Sequence, residues 1–297
     1  MVLYYALGGG LGHLVRARKV LASLGLASDR AAILTASAFA RDPRVTGALT
    51  VIEVPSRLDR DRAAFARWLD GVFATLHPDA LIVDSFPGGI LGELCGMTLP
   101  PAQHVARRLR WPAYAPRLTG PLPTYDVTYI LEPLSAPHRT ALDACSARAE
   151  PLELDADVAM RGPPLIDGVH WLVIHSGPDG EVLELTRYAH ELRATEGARA
   201  QIVIVTPDKP SWLLAGAQWH DVHPAAPHAH HAERIITAAG FNAMHELAWL
   251  RPRHEFIPFP RPLDDQFARA AAWTARAQAQ TQKTIVRPSW AMTRSSR

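Results

Sequence analysis

Apolar runs and helical stripes alternate along almost the whole chain. Short apolar runs at 2–7, 31–36, 49–54, 80–84 and 126–131 read as strands of a buried sheet, with amphipathic stretches between them. The clearest of those stretches is 61–77, where Phe65, Trp68, Leu69, Val72, Phe73 and Leu76 fall at helical spacing and make one apolar stripe. That stripe asks for a sheet to cover it and for nothing more. Residues 151–168 follow neither period, contain prolines followed soon by a glycine, and read as a linker. Beyond them the rhythm restarts, with strands at 170–175, 201–206, 234–237 and 254–259 and helices at 180–194, 241–250 and 264–276. From about Gln278 the apolar period fades into a tail.

This alternation predicts an α/β protein with two Rossmann-like domains built on mostly parallel sheets. The expected units are 1–150, the linker 151–168, a second domain at 169–277 and a tail at 278–297. Each domain opens with a strand that runs into a glycine-bearing turn, "LGGGLGH" in the first and "IHSGPDG" in the second. Two such domains facing each other enclose a cleft lined by the carboxyl ends of both sheets.

Composition narrows the choice of chemistry. The 297 residues are 48 % apolar, enough for two cores, and their net charge of +2 gives no case for general nucleic-acid binding. Cys95 and Cys145 are too few for a disulfide framework, have no metal-type spacing, and read as packing thiols. The chain opens on a strand rather than a signal-like segment, and no apolar run approaches the ~20 residues that span a bilayer. A cytoplasmic protein is expected.

The opening turn excludes two common readings. Gly8, Gly9, Gly10 and Gly12 miss the dinucleotide spacing, because the third glycine of G-x-G-x-x-G falls on His13. The second strand ends "ILTAS" without the acid a nicotinamide enzyme wants, and no Gly-Lys-Ser/Thr follows the glycines. What remains is a loop that admits a ligand close to the backbone, with a helix N-terminus behind it. His13 sits on that first turn, where the helix dipole favours the neutral imidazole a general base needs. Asp84, at the end of "LIVD", either orients His13 or an acceptor hydroxyl, or caps the next turn.

The stretch "ITAAGFNAMHELAWLRPRHEFIPFPRPLDDQ" carries the second set of candidates. Gly240 lets phosphate oxygens approach the backbone ahead of a helix, Asn242 caps that helix or touches phosphate, and Glu246 lies one turn further on the same face, suited to ribose hydroxyls. Asp265 and Gln266 open the next helix, placed for sugar hydroxyls. "AAGFNAMHE" and "DDQ" resemble the His-Cys-Gly-Trp-Asn-Ser-x-x-Glu and Asp-Gln stretches of UDP-sugar transferases, and the whole is similar to GT-B glycosyltransferases. "GGGLGH" resembles the glycine-rich, histidine-bearing loop of the bacterial lipid-intermediate N-acetylglucosaminyltransferases of peptidoglycan synthesis.

The resemblance implies a GT-B architecture and a metal-independent transferase without a cofactor. It would move a sugar from a nucleotide-diphosphate donor, UDP-linked by this likeness, to a hydroxyl on a lipid-linked or small acceptor. It assigns Glu246 to ribose and Gly240, Phe241 and Asn242 to the phosphate turn. Ser176 and Gly177 become a second phosphate turn, Asp265 and Gln266 meet the sugar, and Gly10, Gly12 and His13 form the catalytic loop. Ala238 and Ala243 replace the family's histidine and serine, so the diphosphate would be held by backbone amides and Asn242. Two further readings share these residues. Gly10, Gly12, His13 and Arg16 also fit the G-x-G-H-x-x-R loop of nucleotide-sugar hydrolases of nonulosonic acid pathways, and the two alanines fit a non-catalytic binding protein.

Other features weigh less. Asp59-Arg60-Asp61 and Asp155-Ala156-Asp157 match a D-x-D pattern by chance, one at a helix start and the other in the linker. The histidines 220, 223, 228, 230 and 231 lack a cysteine and are interrupted by prolines, which argues against zinc. "RRLRW", Arg107 to Trp111, raises contact with anionic lipid headgroups, but a solvated basic edge is the preferred reading.

Overall fold

The computed structural model describes residues 1–154 and 161–285, with side chains to residue 276. Two parallel sheets organise the chain. The first contains β1 (Val2–Ala6), β2 (Ala31–Thr35), β3 (Thr50–Glu53), β4 (Ala80–Asp84), β5 (Ala102–Ala106), β6 (Val127–Ile130) and β7 (Ala149–Pro151), in the order β3-β2-β1-β4-β5-β6-β7. The second contains β8 (His170–Ile174), β9 (Gln201–Val205), β10 (Ala217–His220), β11 (Arg234–Ala238) and β12 (His254–Ile257), in the order β10-β9-β8-β11-β12. The strand order reverses between β1 and β4 in one sheet and between β8 and β11 in the other. In open parallel sheets that reversal is where a ligand crevice forms, outside the carboxyl ends.

The central strands are apolar on both faces because helices cover both. All five residues of β2 are buried, and β1 buries Leu3, Tyr4, Tyr5 and Ala6. On one face, α3 (Arg62–Leu76) buries Phe65, Leu69 and Phe73, with Trp68, Val72 and Leu76 packed alongside, as the stripe requires. On the other face lies α1 (Leu11–Ser23), through Leu14, Ala17, Val20 and Leu21. The remaining helices are α2 (Pro43–Thr46), α4 (Trp111–Tyr114), α5 (Ala136–Cys145), α6 (Asp179–Thr195), α7 (Phe241–Glu246) and α8 (Gln266–Ile285).

Several expectations need correction. Strands β5, β7 and β10 were not expected. The helix expected at 241–250 stops at Glu246, and a 3₁₀ segment, Ala248–Arg253, which contains Pro252, follows. The last helix runs on to Ile285, past the expected tail boundary, and 286–297 fall outside the described residues. At the linker, Leu152 and Leu154 pack on the first core and Leu165 and Ile166 on the second, while Asp155 and Asp157 lie outside the described residues.

"RRLRW" is a solvated edge only in part. Arg107 and Trp111 are buried, and Trp111 stacks on His138 with ring centres 4.5 Å apart. Arg108 is half-buried and Arg110 exposed. No helix among the described residues is long and apolar enough to cross a membrane.

Candidate functional site

The two strand-order reversals face each other across a cavity of about 1060 Å³. From the first domain it is lined by Gly9, Gly10, Gly12, His13, Arg16 and Lys19, and from the second by His175 to Pro178, Gly240 to Ala243, Glu246, Asp264 and Gln266. Among these are the sequence candidates Gly10, Gly12, His13, Ser176, Gly177, Gly240, Phe241, Asn242, Glu246 and Gln266.

His13 and Asp84 meet because β1 and β4 are neighbours. Nδ1 of His13 lies 2.7 Å from Oδ2 of Asp84, and the imidazole rests on Gly8, whose φ is +150°. A Cβ at Gly8 would come within 2.9 Å of Cε1 and closer still to Nε2 and Cδ2. The glycine is there because the ring occupies the space a side chain would need. Phe86 stacks on the other side, its ring centre 6.2 Å away.

Asp84 is fully buried and held by Arg16 through Nε at 2.7 Å and Nη2 at 2.5 Å. Burial opposes its charge, but Arg16 and the bond from His13 outweigh it and hold the carboxyl well below the usual carboxylate range. An ionised Asp84 cannot donate, so Nδ1 of His13 carries the proton and Nε2 keeps its lone pair. Burial, helped by the Arg16 charge, pulls the imidazole down to about 4 despite the Asp84 bond. His13 is therefore neutral at pH 7, as expected, but burial rather than the helix dipole is the main cause. Asp84 has no exposed surface to offer a substrate hydroxyl, and its carboxylate meets His13 and Arg16 instead.

A chain of buried charges leads from this pair to the second domain. Arg16 and Arg107 both donate to Oγ of Ser85, at 3.1 and 2.8 Å. Arg107 pairs with Asp264, Asp264 with Arg269 at 2.7 Å, and Arg269 with Glu132 at 2.7 Å. The guanidinium groups of Arg16 and Arg269 lie 5.7 and 6.0 Å from the ring centre of Phe241. Phe241 thus belongs to the packing between domains and enters the first-domain core cluster. Arg269 carried no pattern that set it apart in the sequence, while Arg107 was read only as part of the basic run "RRLRW" and Asp264 only as part of "DDQ". Arg16 did carry one, three residues after His13 and hence on the same helix face.

The second-domain candidates fall as follows. Gly240 precedes α7, and a Cβ there would meet nothing within 4 Å. Nδ2 of Asn242 donates to the carbonyl of Gly12 at 2.9 Å, tying the two glycine turns together. Oε1 of Glu246 lies 3.0 Å from Lys19 Nζ, so one carboxylate oxygen already has a cation across the cleft. Gln266 lines the cavity and accepts from the backbone N–H of Phe259 at 3.0 Å. Asp265 instead caps α8, accepting from the N–H of Ala268 at 3.1 Å, and the acid lining the cavity is its neighbour Asp264. Ser176 and Gly177 line the cavity after β8.

The histidine-rich segment has a structural task. His228, His230 and His231 each contact a backbone carbonyl, those of Pro163, Pro227 and Gly162. Among the described residues no group of three or more His, Cys, Asp or Glu could hold a metal ion. Asp61 caps α3 through the N–H of Ala64 at 2.9 Å.

Neither a protein-family profile nor a curated protein sequence matches the chain. Solved structures do. Spinosyn rhamnosyltransferase SpnG complexed with thymidine diphosphate aligns over 92 % of this chain and 84 % of its own, at 18 % identity and a TM-score of 0.56. UDP-GlcNAc 2-epimerase from Neisseria meningitidis, bound to UDP-GlcNAc, aligns over 92 % and 85 %, at 12 % identity and a TM-score of 0.57. Acinetobacter baumannii MurG aligns over 91 % and 82 %, at 15 % identity and a TM-score of 0.51. The shared feature is the fold: two Rossmann-like α/β domains in the GT-B arrangement.

Proposed function

We propose that the chain binds a nucleotide-diphosphate sugar in the interdomain cavity and transfers the sugar to an acceptor hydroxyl, with His13 as the base. The observation that carries this is the neutral His13, fixed by Asp84 at a strand-order reversal, facing a cavity shared with the second glycine turn. The acceptor O–H would attack the anomeric carbon while its proton passes to Nε2 of His13. The bond from that carbon to the phosphate oxygen breaks, and the diphosphate leaves with the electron pair.

The negative charge of the leaving group needs an answer. α1 is a helix of 13 residues whose first-turn amides open onto the cavity behind Gly10, with no side-chain cap. α7 is only six residues long, so its dipole contributes less than a full helix would. Arg18 also lines the cavity, bonded to two backbone carbonyls and with no carboxylate partner among the described residues. On this reading the diphosphate lies between the two glycine turns, with Glu246 on the ribose and Gln266 and Asp264 toward the sugar. SpnG and the epimerase hold thymidine diphosphate and UDP-GlcNAc, which favours a pyrimidine nucleoside diphosphate here.

Thermal melting with UDP, dTDP, GDP and CMP tests the reading first, because a ligand bound only by the folded state must raise the midpoint. A midpoint unmoved by all four refutes it. Turnover lost with EDTA and restored by magnesium would refute metal independence. A second reading has water in place of the acceptor, favoured by the Gly10-x-Gly12-His13-x-x-Arg16 loop, in which Arg16 clamps Asp84. Rapid release of free sugar without acceptor supports that hydrolase, and its absence supports the transferase.

A further inference from the structure

The second domain carries its own fixed histidine at the corresponding place, and the reading above gives it no task. His175 directly follows β8, at the carboxyl edge of the sheet and beside β11. Its Nε2 lies 2.8 Å from Oε2 of Glu181, on the first turn of α6. Glu181 in turn accepts from both terminal nitrogens of Arg261, each at 2.5 Å. The imidazole stacks on Phe259, ring centres 5.9 Å apart. A Cβ at Gly177 would come within 2.9 Å of Cε1 and closer to Nε2, so this glycine, like Gly8, yields its space to an imidazole. Each part of the His13 setting has its counterpart: glycine under the ring, carboxylate on one nitrogen, arginine fork on the carboxylate, phenylalanine against the face.

The tautomer follows from the partners. Burial works against the charge of Glu181, but the bonds from Arg261 and His175 overcome it and lower its pKa. An ionised carboxylate only accepts, so Nε2 carries the proton and Nδ1 is a bare lone pair. Burial lowers the His175 pKa as well, which keeps the ring neutral at pH 7. His175, Glu181 and Arg261 together then carry no net charge. A lone pair in an uncharged corner attracts an O–H and repels a phosphate oxygen, which has no proton to give. His175 shares its part of the cavity with Pro260, Arg261, Asp264 and Gln266.

We propose that His175 is a specificity-determining residue whose Nδ1 accepts a hydrogen bond from a hydroxyl of the donor sugar. The proposal rests on the cavity being a nucleotide-sugar site, and adds to that reading which second-domain group meets the sugar rather than the phosphates. The test compares His175→Gln and His175→Asn. Glutamine can still donate to Glu181 but leaves no acceptor at the Nδ1 position, whereas the asparagine carbonyl reaches that position.

Calorimetry with UDP against UDP-N-acetylglucosamine, and with dTDP against dTDP-rhamnose, reads the outcome. For the pair that wild type binds, His175→Gln should weaken the sugar nucleotide about five- to tenfold. His175→Asn should retain most of the affinity, and the bare diphosphate should bind all three proteins alike. A loss that falls equally on the bare diphosphate would place His175 on the phosphates and overturn the proposal. Equal binding of the sugar nucleotide by all three proteins would overturn it too. Failure of wild type to bind either pair would instead refute the nucleotide-sugar reading, and this proposal with it. Long-range ¹H–¹⁵N spectra of ligand-free protein at pH 7 give a readout that needs no ligand: a protonated Nδ1 on His175 is incompatible with the role.

Discussion

Gly8→Ala isolates the geometry of the proposed base without touching any group that could carry a proton. The added methyl would sit 2.9 Å from Cε1 of His13 and nearer to Nε2 and Cδ2, where carbon contacts of about 3.5–4.0 Å are needed. The ring must retreat by on the order of 1 Å, and its 2.7 Å contact with Asp84 opens accordingly. A misplacement of about that size can cost about 10²-fold, and complete loss of a positioned base about 10²–10⁴-fold. The φ of +150° at this position adds backbone strain of about 1–3 kcal/mol once a side chain is present. The expected variant is therefore folded but less stable, with kcat reduced by about 10²- to 10⁴-fold. Initial rates at saturating donor, with calorimetry of the diphosphate in parallel, separate rate from affinity. Gly71→Ala is the control, because a Cβ there meets nothing within 4 Å and the position lies in α3, outside the cavity lining, so it should keep the wild-type rate. A Gly8→Ala protein with the wild-type rate would show that the imidazole does not act from this position.

The other predictions follow from the same contacts. His13→Ala should lower kcat by about 10²–10⁴-fold, and His13→Gln should fare little better, because an amide is not a base; a normal rate with weakened nucleotide binding would make His13 a ligand clamp. Glu246→Ala should weaken UDP or dTDP by about 1.5–3 kcal/mol in calorimetry, and equal affinity would remove the ribose assignment. Burial lowers His13, His104 and His254 to about 4 and His138 to about 3, so the unfolded chain binds more protons than the fold below about 6.5. Their contribution is complete above that pH and lost as pH falls toward 4, which urea titrations at pH 7, 5.5 and 4.5 will show as a falling midpoint. His138→Phe keeps the stack on Trp111 and removes two ring nitrogens without partners, so it should reduce that loss; a pH-independent midpoint in wild type refutes the argument.

The sequence made the architecture legible where the chain is apolar on both faces, and obscured it where a strand is polar or short. β1, β2, β4, β8 and β9 announce themselves as runs such as "VLYYA" and "QIVIV". β7 and β10 lie at sheet edges as "AEP" and "AQWH", with no alternation to mark them. β5 is central, yet Gln103 and His104 interrupt its apolar run, and two prolines precede it. For the site, glycine turns and strand ends were enough to bring His13, Gly240 and Asn242 to one cavity, with Asp84 buried behind His13. They could not show that Glu246 meets Lys19 or that Asp264 rather than Asp265 lines the cavity. Those facts depend on how two domains approach each other, and nothing local in the chain encodes the angle.

That approach gives the charge network its meaning. Arg16, Arg107 and Arg269 face Asp84, Asp264 and Glu132, three cations to three anions, all buried or nearly so. Such an arrangement is weak evidence for stability, because desolvating each ion costs about as much as its pairing returns. Its effect is on register. Asp264 comes from the second domain, whereas Arg107 and Glu132 come from the first, so the charges balance only when the domains sit as they do here. Moving them apart would leave Arg107 facing Arg16 across Ser85 with no anion of its own, and removing one partner of a buried pair typically costs about 3–5 kcal/mol. Arg16 is also the group that fixes Asp84, and through it the tautomer of His13. The bonds that set the tautomer of the proposed base thus lie within the first domain, and Arg16 meets the second domain through the ring of Phe241.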